Sequence, residues 1–260
     1  MIIGGIAAGA ALYAGRGVFR QRQQLAASEA SGLETMPDLT HVPAALQRTA
    51  LWALADGGFE RRVLHGVVSR GGDDLALTVF DLETLRERRG EWGYLPVEPP
   101  FRIAATVSVA CAAVARTFPH VLLKRTGHGD DMADDTAVDR VSSLTKLART
   151  GLGVPRSYAA ALPAGLGPVP LDVALPEQWR AYGDDAAFVA SLLAGGFAST
   201  LESIGRRDLV IELLDDVVVI YPAARDVSGA DALADLAATA TALVESVLAA
   251  TPRRRLHPIR

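Results

Sequence analysis

Six ionisable side chains crowd into one acidic stretch, Thr126 to Asp139 (TGHGDDMADDTAVD): His128, Asp130, Asp131, Asp134, Asp135 and Asp139. Carboxylates beside an imidazole form a donor set that a divalent cation accepts. The residues that would hold such an ion are His128, Asp130, Asp131, Asp134 and Asp135. A metal held there would support metal-assisted hydrolysis. The spacing is not that of an EF-hand, whose Asp-x-Asp-x-Asp-Gly order is missing. Neighbouring carboxylates repel one another, and solvent exposure relieves that repulsion most cheaply. A solvated acidic loop is therefore the competing reading, and the simpler one.

Other chemistry is thinly represented. Cys111 and His120 invite comparison with a nucleophile and its base. Cys111 lies inside VSVACAAVA, however, where a small residue suits a buried strand. His65 also falls in a strand pattern and reads as a hydrogen-bonded structural residue. No GxSxG elbow, GxxxxGK[ST] loop or HExxH helix occurs in the chain. No GxGxxG opens a helix after a strand, which argues against a dinucleotide fold. Trp92 and Tyr94 stand in a loop-like stretch where aromatics form a binding surface or tuck back onto a sheet. Arg86, Arg88 and Arg89 make one basic cluster, and Arg253, Arg254, Arg255, His257 and Arg260 make a basic tail, 252–260. The tail reads either as a frayed terminus or as a contact with anionic lipid. No aromatic stacking motif accompanies the arginines, and the net charge is −4, so a nucleic-acid partner is not expected.

The elements that must position these groups follow from periodicity. Pro43 to Ala55 predicts a helix opened by proline and stopped by Gly57-Gly58. Arg62 to Ser69 and Leu75 to Leu82 alternate as strands around Gly71-Gly72, a hairpin signal. Phe101 to Ala113 and Phe118 to Arg125 predict a third and a fourth strand in a meander. A short helix is expected over Arg140 to Arg149, and Gly151 to Leu171 is a Gly/Pro/Ala linker. Leu171 to Leu175 and Trp179 to Tyr182 read as strand. Asp184-Asp185 caps a helix to about Ala194, and Gly195-Gly196 interrupts it before Ile204. Leu209 to Leu214 and Val217 to Tyr221 read as a hairpin turned at Asp215-Asp216. Ser228 and Asp231 form a capping box. The helix behind it sets Leu233, Leu236, Ala240, Leu243, Val247 and Leu248 on one stripe and stops near Pro252. The expected class is α+β: an antiparallel β-sheet, meander plus C-terminal hairpin, with helices on one face.

Location is written more plainly than activity. Met1 to Gly15 carries no charged side chain, and Arg16, Arg20 and Arg22 follow it. A helix extended to Phe19 rises roughly 28 Å, enough to span with Arg16 snorkelling. Positive charge behind the apolar run favours a cytoplasmic body and disfavours a cleaved signal peptide. A buried core helix would satisfy the same composition. Gly5 and Gly9 have GxxxG spacing, a weak homodimer signal. The expected organisation is a membrane anchor over 1–20, a juxtamembrane linker over 21–32 and one domain over 33–251, with possible halves 33–150 and 171–251. The expected setting is single-pass, in a bacterial inner membrane. Lysine occurs only at Lys124 and Lys146 against abundant arginine and alanine, a GC-rich genome signature. One cysteine excludes an intramolecular disulfide and a cysteine-based zinc site.

The anchor, LALTVFDLE (Leu75 to Glu83), TVSVACAAVARTFPHVLLK (Thr106 to Lys124) and DLVIELLDDVVVIYP (Asp208 to Pro222) together carry a resemblance. The chain resembles a loose class of bacterial membrane-anchored proteins with one α+β domain and no known catalytic motif. The resemblance implies a membrane-tethered interaction or scaffold domain and supplies no site residues. The alternatives are the metal-assisted hydrolase above and a small-molecule or lipid-binding module with an apolar pocket under the sheet.

Overall fold

One strand organises the molecule. In a computed structural model the described residues are 18–37, 44–53, 57–70, 73–87, 101–125, 166–170, 175–176, 179–204, 209–222 and 230–251. Within them, strand β4 (Phe101–Arg125) runs for 25 residues as the centre of a seven-stranded antiparallel sheet. Along one edge its first half pairs with β3 (Asp73–Glu87) and its second half with β6 (Trp179–Gly183). Along the other edge it pairs with β7 (Leu209–Pro222). Beyond β3 lies β2 (Gly57–Arg70), and β1 (Glu34–Thr35) covers two residues of its far edge. β5 (Gly167–Pro168) pairs with β6. The sheet therefore joins the two halves of the chain through β4.

The expected class holds: the fold is α+β on a mostly antiparallel sheet. The β2–β3 hairpin also forms as its alternation predicts, with Arg70 opposite Asp73 across Gly71-Gly72. Two expectations about the long strands are corrected. The third and fourth strands are one strand, β4, and Asp215-Asp216 turns no hairpin, because β7 runs straight through it. The reason is a pair of facing irregularities. Between Ala113 and Val121 of β4, and around Asp215 of β7, the register shifts. Asp215 takes φ +50°, and Pro119, which cannot donate to a ladder, sits in the matching stretch of β4. Both strands swap the face of their odd and even residues here, so each reads in sequence as two.

Helices cover one face. Helix α1 (18–31) ends at Gly32, whose φ of +71° suits a C-terminal stop, and sends Ala27 into the core beside Leu33 and Leu64. The stretch 21–32, expected as a linker, is thus helical and packed on the body. Asp185 caps α3 (Ala186–Leu192) by accepting from the Phe188 amide at 2.8 Å. A π turn (Leu193–Phe197) follows, with Gly196 at φ +92°, then α4 (Ala198–Ser203). At Gly195 a Cβ would meet Ala250 at 2.6 Å, so glycine lets the last helix pack close. That helix, α5 (Ala230–Ala250), buries the predicted stripe of Leu233, Leu236, Ala240, Leu243, Val247 and Leu248. The other face is closed by a 3₁₀ turn (Ala44–Arg48) and α2 (Ala50–Ala53), the two pieces of the expected 43–55 helix. Gly57 and Gly58, expected as its stop, begin β2.

Two described helical stretches, Ala186–Ser203 and Asp231–Ala250, are long and apolar enough to cross a membrane by length and composition. Both place leucine and valine side chains in the core under the sheet. Residues 1–17 of the expected anchor 1–20, with Gly5 and Gly9, and also Trp92, Tyr94, Arg88, Arg89, the acidic loop, the 140–149 helix, Ser228 and the tail 252–260 lie outside the described residues.

Candidate functional site

Each face of the sheet carries a buried polar group among apolar neighbours. On the α2 face the group is Glu212 of β7, fully buried. In register it sits opposite Leu122 of β4, so His120 and Lys124 flank it at plus and minus two on the same face. His120 Nε2 meets Glu212 Oε1 at 2.6 Å. The Ala50 amide at the start of α2 donates to both carboxylate oxygens at 3.0 Å. The Tyr221 hydroxyl lies 3.4 Å from Oε2. A carboxylate taken out of water requires such partners, and here they tie β4, β7 and α2 together. Nearby, Arg48 pairs with Asp215 at the surface, where an ion pair contributes little.

On the helix face the group is Arg62 with Asp81. Nε and Nη2 of Arg62 reach Asp81 Oδ2 at 2.7 and 2.6 Å, and both side chains are less than one-tenth exposed. Ser108 of β4 donates to the other oxygen at 2.8 Å, and Arg62 Nη1 donates to Gln23 Oε1 of α1 at 2.9 Å. Arg62 occupies φ +52°, left-handed backbone that an L-residue with a Cβ adopts at a cost, at the register shift between Arg61 and Leu64. The bulge turns the guanidinium inward, under α1. Gln24 adds a bond from Nε2 to the Val63 carbonyl at 2.8 Å.

The other sequence candidates fall as follows. Cys111 is a core residue at 1% exposure, and His120 is bonded to Glu212. His65 Nδ1 lies 2.9 Å from the Thr78 hydroxyl, a structural contact between β2 and β3. The metal candidates His128, Asp130, Asp131, Asp134 and Asp135 lie outside the described residues. Among the described residues no three His, Cys, Asp or Glu side chains group to hold a metal ion. Sequence reading missed Glu212, Arg62 and Asp81. The available signal for Glu212 was a lone carboxylate inside LVIELL.

Burial also sets an alkaline limit. Desolvation first, and then the charge of Asp216, push the Cys111 thiol from 9.0 to about 12. Desolvation, then the charge and hydrogen bond of Glu212, hold the Tyr221 phenol well above its ordinary value of 10.0. Both folded values lie above the unfolded ones, so the folded chain holds these protons longer. The stabilisation from Cys111 is complete below about pH 9 and is lost as pH rises toward about 12, and that from Tyr221 is complete below the ordinary phenol range and is lost only at higher pH. Thermal melts should be level on this account up to pH 9 and fall beyond it, by roughly 1 kcal/mol per pH unit for Cys111. In native protein Cys111 should resist maleimide at neutral pH and react on unfolding.

The fold and these sites define an α+β domain whose buried polar groups fasten elements to one another. No protein-family model matches the chain, and no curated protein matches its sequence. Among solved structures, the crystal structure of the mycobacterial trehalose monomycolate transport factor A, TtfA, is similar over 90% of this chain and 97% of its own. The TM-score is 0.52 at 9% sequence identity, a likeness of fold.

Proposed function

We propose that the chain is a membrane-tethered interaction domain that serves a transport process by docking onto a protein partner. The observation that carries this reading is the correspondence with TtfA, which takes in nearly the whole of both chains rather than one motif. Two features support the tether. Met1 to Gly15 is uncharged, and α1 is described from Val18 onward, three residues further along the chain. Docking rather than turnover is supported by how the buried groups are used: Glu212, His120, Arg62 and Asp81 bond to one another and to backbone.

Fractionation tests the reading. The full chain should sediment with membranes, resist carbonate extraction and dissolve in detergent. A chain beginning at Val18, which keeps the Gln23 and Gln24 contacts, should stay soluble. Recovery of the full chain in the soluble fraction would overturn the tether. In-membrane crosslinking should then capture a protein partner. A melting temperature raised by Mg²⁺, Mn²⁺, Ca²⁺ or Zn²⁺, and no longer raised after Asp130→Asn with Asp131→Asn, would instead favour the metal-assisted hydrolase.

A further inference from the structure

Helix α1 changes character at one residue. From Val18 to Arg22 every side chain is exposed, all the way round the helix. From Gln23 onward one side is covered, by Arg62, by the Val63 carbonyl and then by the core at Ala27. The first five residues therefore stand proud of the body, by about 7.5 Å of helix. They display Val18 at 54% and Phe19 at 62% exposure beside the exposed Arg20, Gln21 and Arg22.

We infer that this projecting turn seats in the headgroup layer of an anionic bilayer, and that the clamp on Gln23 holds the body against that layer. The inference rests on the membrane-tethered reading. Its occupant follows from what flanks the turn. On the N-terminal side the sequence is uncharged to Met1 apart from Arg16, and no acidic residue precedes Glu29. An aromatic ring and an aliphatic side chain interleaved with guanidinium groups fit the boundary between acyl chains and phosphates. The apolar parts face inward there, and Arg22 reaches outward to negative headgroups. The clamp begins at the next residue. Gln23 accepts from Arg62, which is locked by Asp81, and Gln24 donates to β2. No joint separates the lipid-facing turn from the sheet, so the domain has one orientation on the bilayer.

The test uses the full chain in nanodiscs, with nitroxide labels at Phe19→Cys, Leu25→Cys and Ser69→Cys; buried Cys111 stays unlabelled. In discs of phosphatidylcholine with phosphatidylglycerol, the ratio of oxygen to nickel-chelate accessibility should be several-fold higher at 19 than at 25. It should fall at 19 when phosphatidylglycerol is omitted. The distance between labels at 25 and 69 should be narrowly distributed, and should broaden in Asp81→Asn. Gln23→Ala loosens the clamp without touching the buried pair and should broaden it too. Equal aqueous accessibility at 19 and 25 in a chain that stays in the disc would overturn the seating and leave the tether standing. An unchanged ratio without phosphatidylglycerol would overturn the anionic assignment. A 25–69 distance as broad in the parent as in the variants would overturn the clamp. A chain that never enters the disc would overturn the tether itself.

Discussion

Replacing Glu212 by alanine should unfold the domain more readily than any single surface change, with a loss of about 3–5 kcal/mol. The carboxylate is fully buried and answers three groups at once: His120 Nε2, the Ala50 amide and the Tyr221 hydroxyl. Taking it away leaves a buried backbone N–H and a buried phenol without this acceptor, at about 1–3 kcal/mol for each unsatisfied group. The contact to Tyr221 is long at 3.4 Å, so Tyr221→Phe alone should cost under about 1 kcal/mol. Glu212→Gln keeps an acceptor for Ala50 and should fall between. A domain of this size loses roughly 2–4 °C in Tm per kcal/mol, so Glu212→Ala should melt about 6–20 °C lower. A double-mutant cycle with His120→Ala should show coupling above about 0.5 kcal/mol. Additive single effects would show that the histidine and the carboxylate act independently.

Much of the architecture is legible where a single rule governs. The β2–β3 hairpin is legible because both strands alternate without a break up to Gly71-Gly72. α5 is legible because its stripe repeats at helical spacing for 21 residues. The capped and interrupted helix after Asp185 is legible because Asp185 and Gly196 each have one conformational use there. The long strands are hidden because two local signals compete with one long-range fact. Asp215-Asp216 has turn chemistry, and its φ of +50° is real, but the partner strand is irregular at the same level and the ladder resumes beyond it. Helix α1 is hidden by its polarity. Gln, Arg, Ser and Glu suggest a solvated connector, yet most of them, with its alanines, form helix well. What packs it is a pair of glutamine amides finding partners on β2, a contact no hydrophobic pattern encodes. The buried polar groups are hidden for the same reason. Arg62 and Asp81 are 19 residues apart in sequence and meet only because the bulge turns Arg62 inward.

That pair sets the second large effect. Asp81→Ala should cost about 3–5 kcal/mol, because it strips a carboxylate from a guanidinium that is itself only 7% exposed. The loss should exceed the reverse change, Arg62→Gly. That variant also breaks the pair, but it relieves the left-handed backbone at φ +52°, worth about 1–2 kcal/mol for a residue with a Cβ. Asp81→Leu with Arg62→Met removes both charges and fills the space with apolar atoms. Such replacements are often neutral, so the double variant should recover most of the stability that Asp81→Ala loses. It should not recover the hold on α1, since Gln23 then has no guanidinium to accept from. Hydrogen exchange separates the two roles: in the double variant the sheet amides should stay protected while those of 23–31 exchange faster. Equal protection of α1 in parent and double variant would mean that the core contact of Ala27 and the Gln24 bond to Val63 secure the helix without Arg62, and that the ion pair serves the sheet.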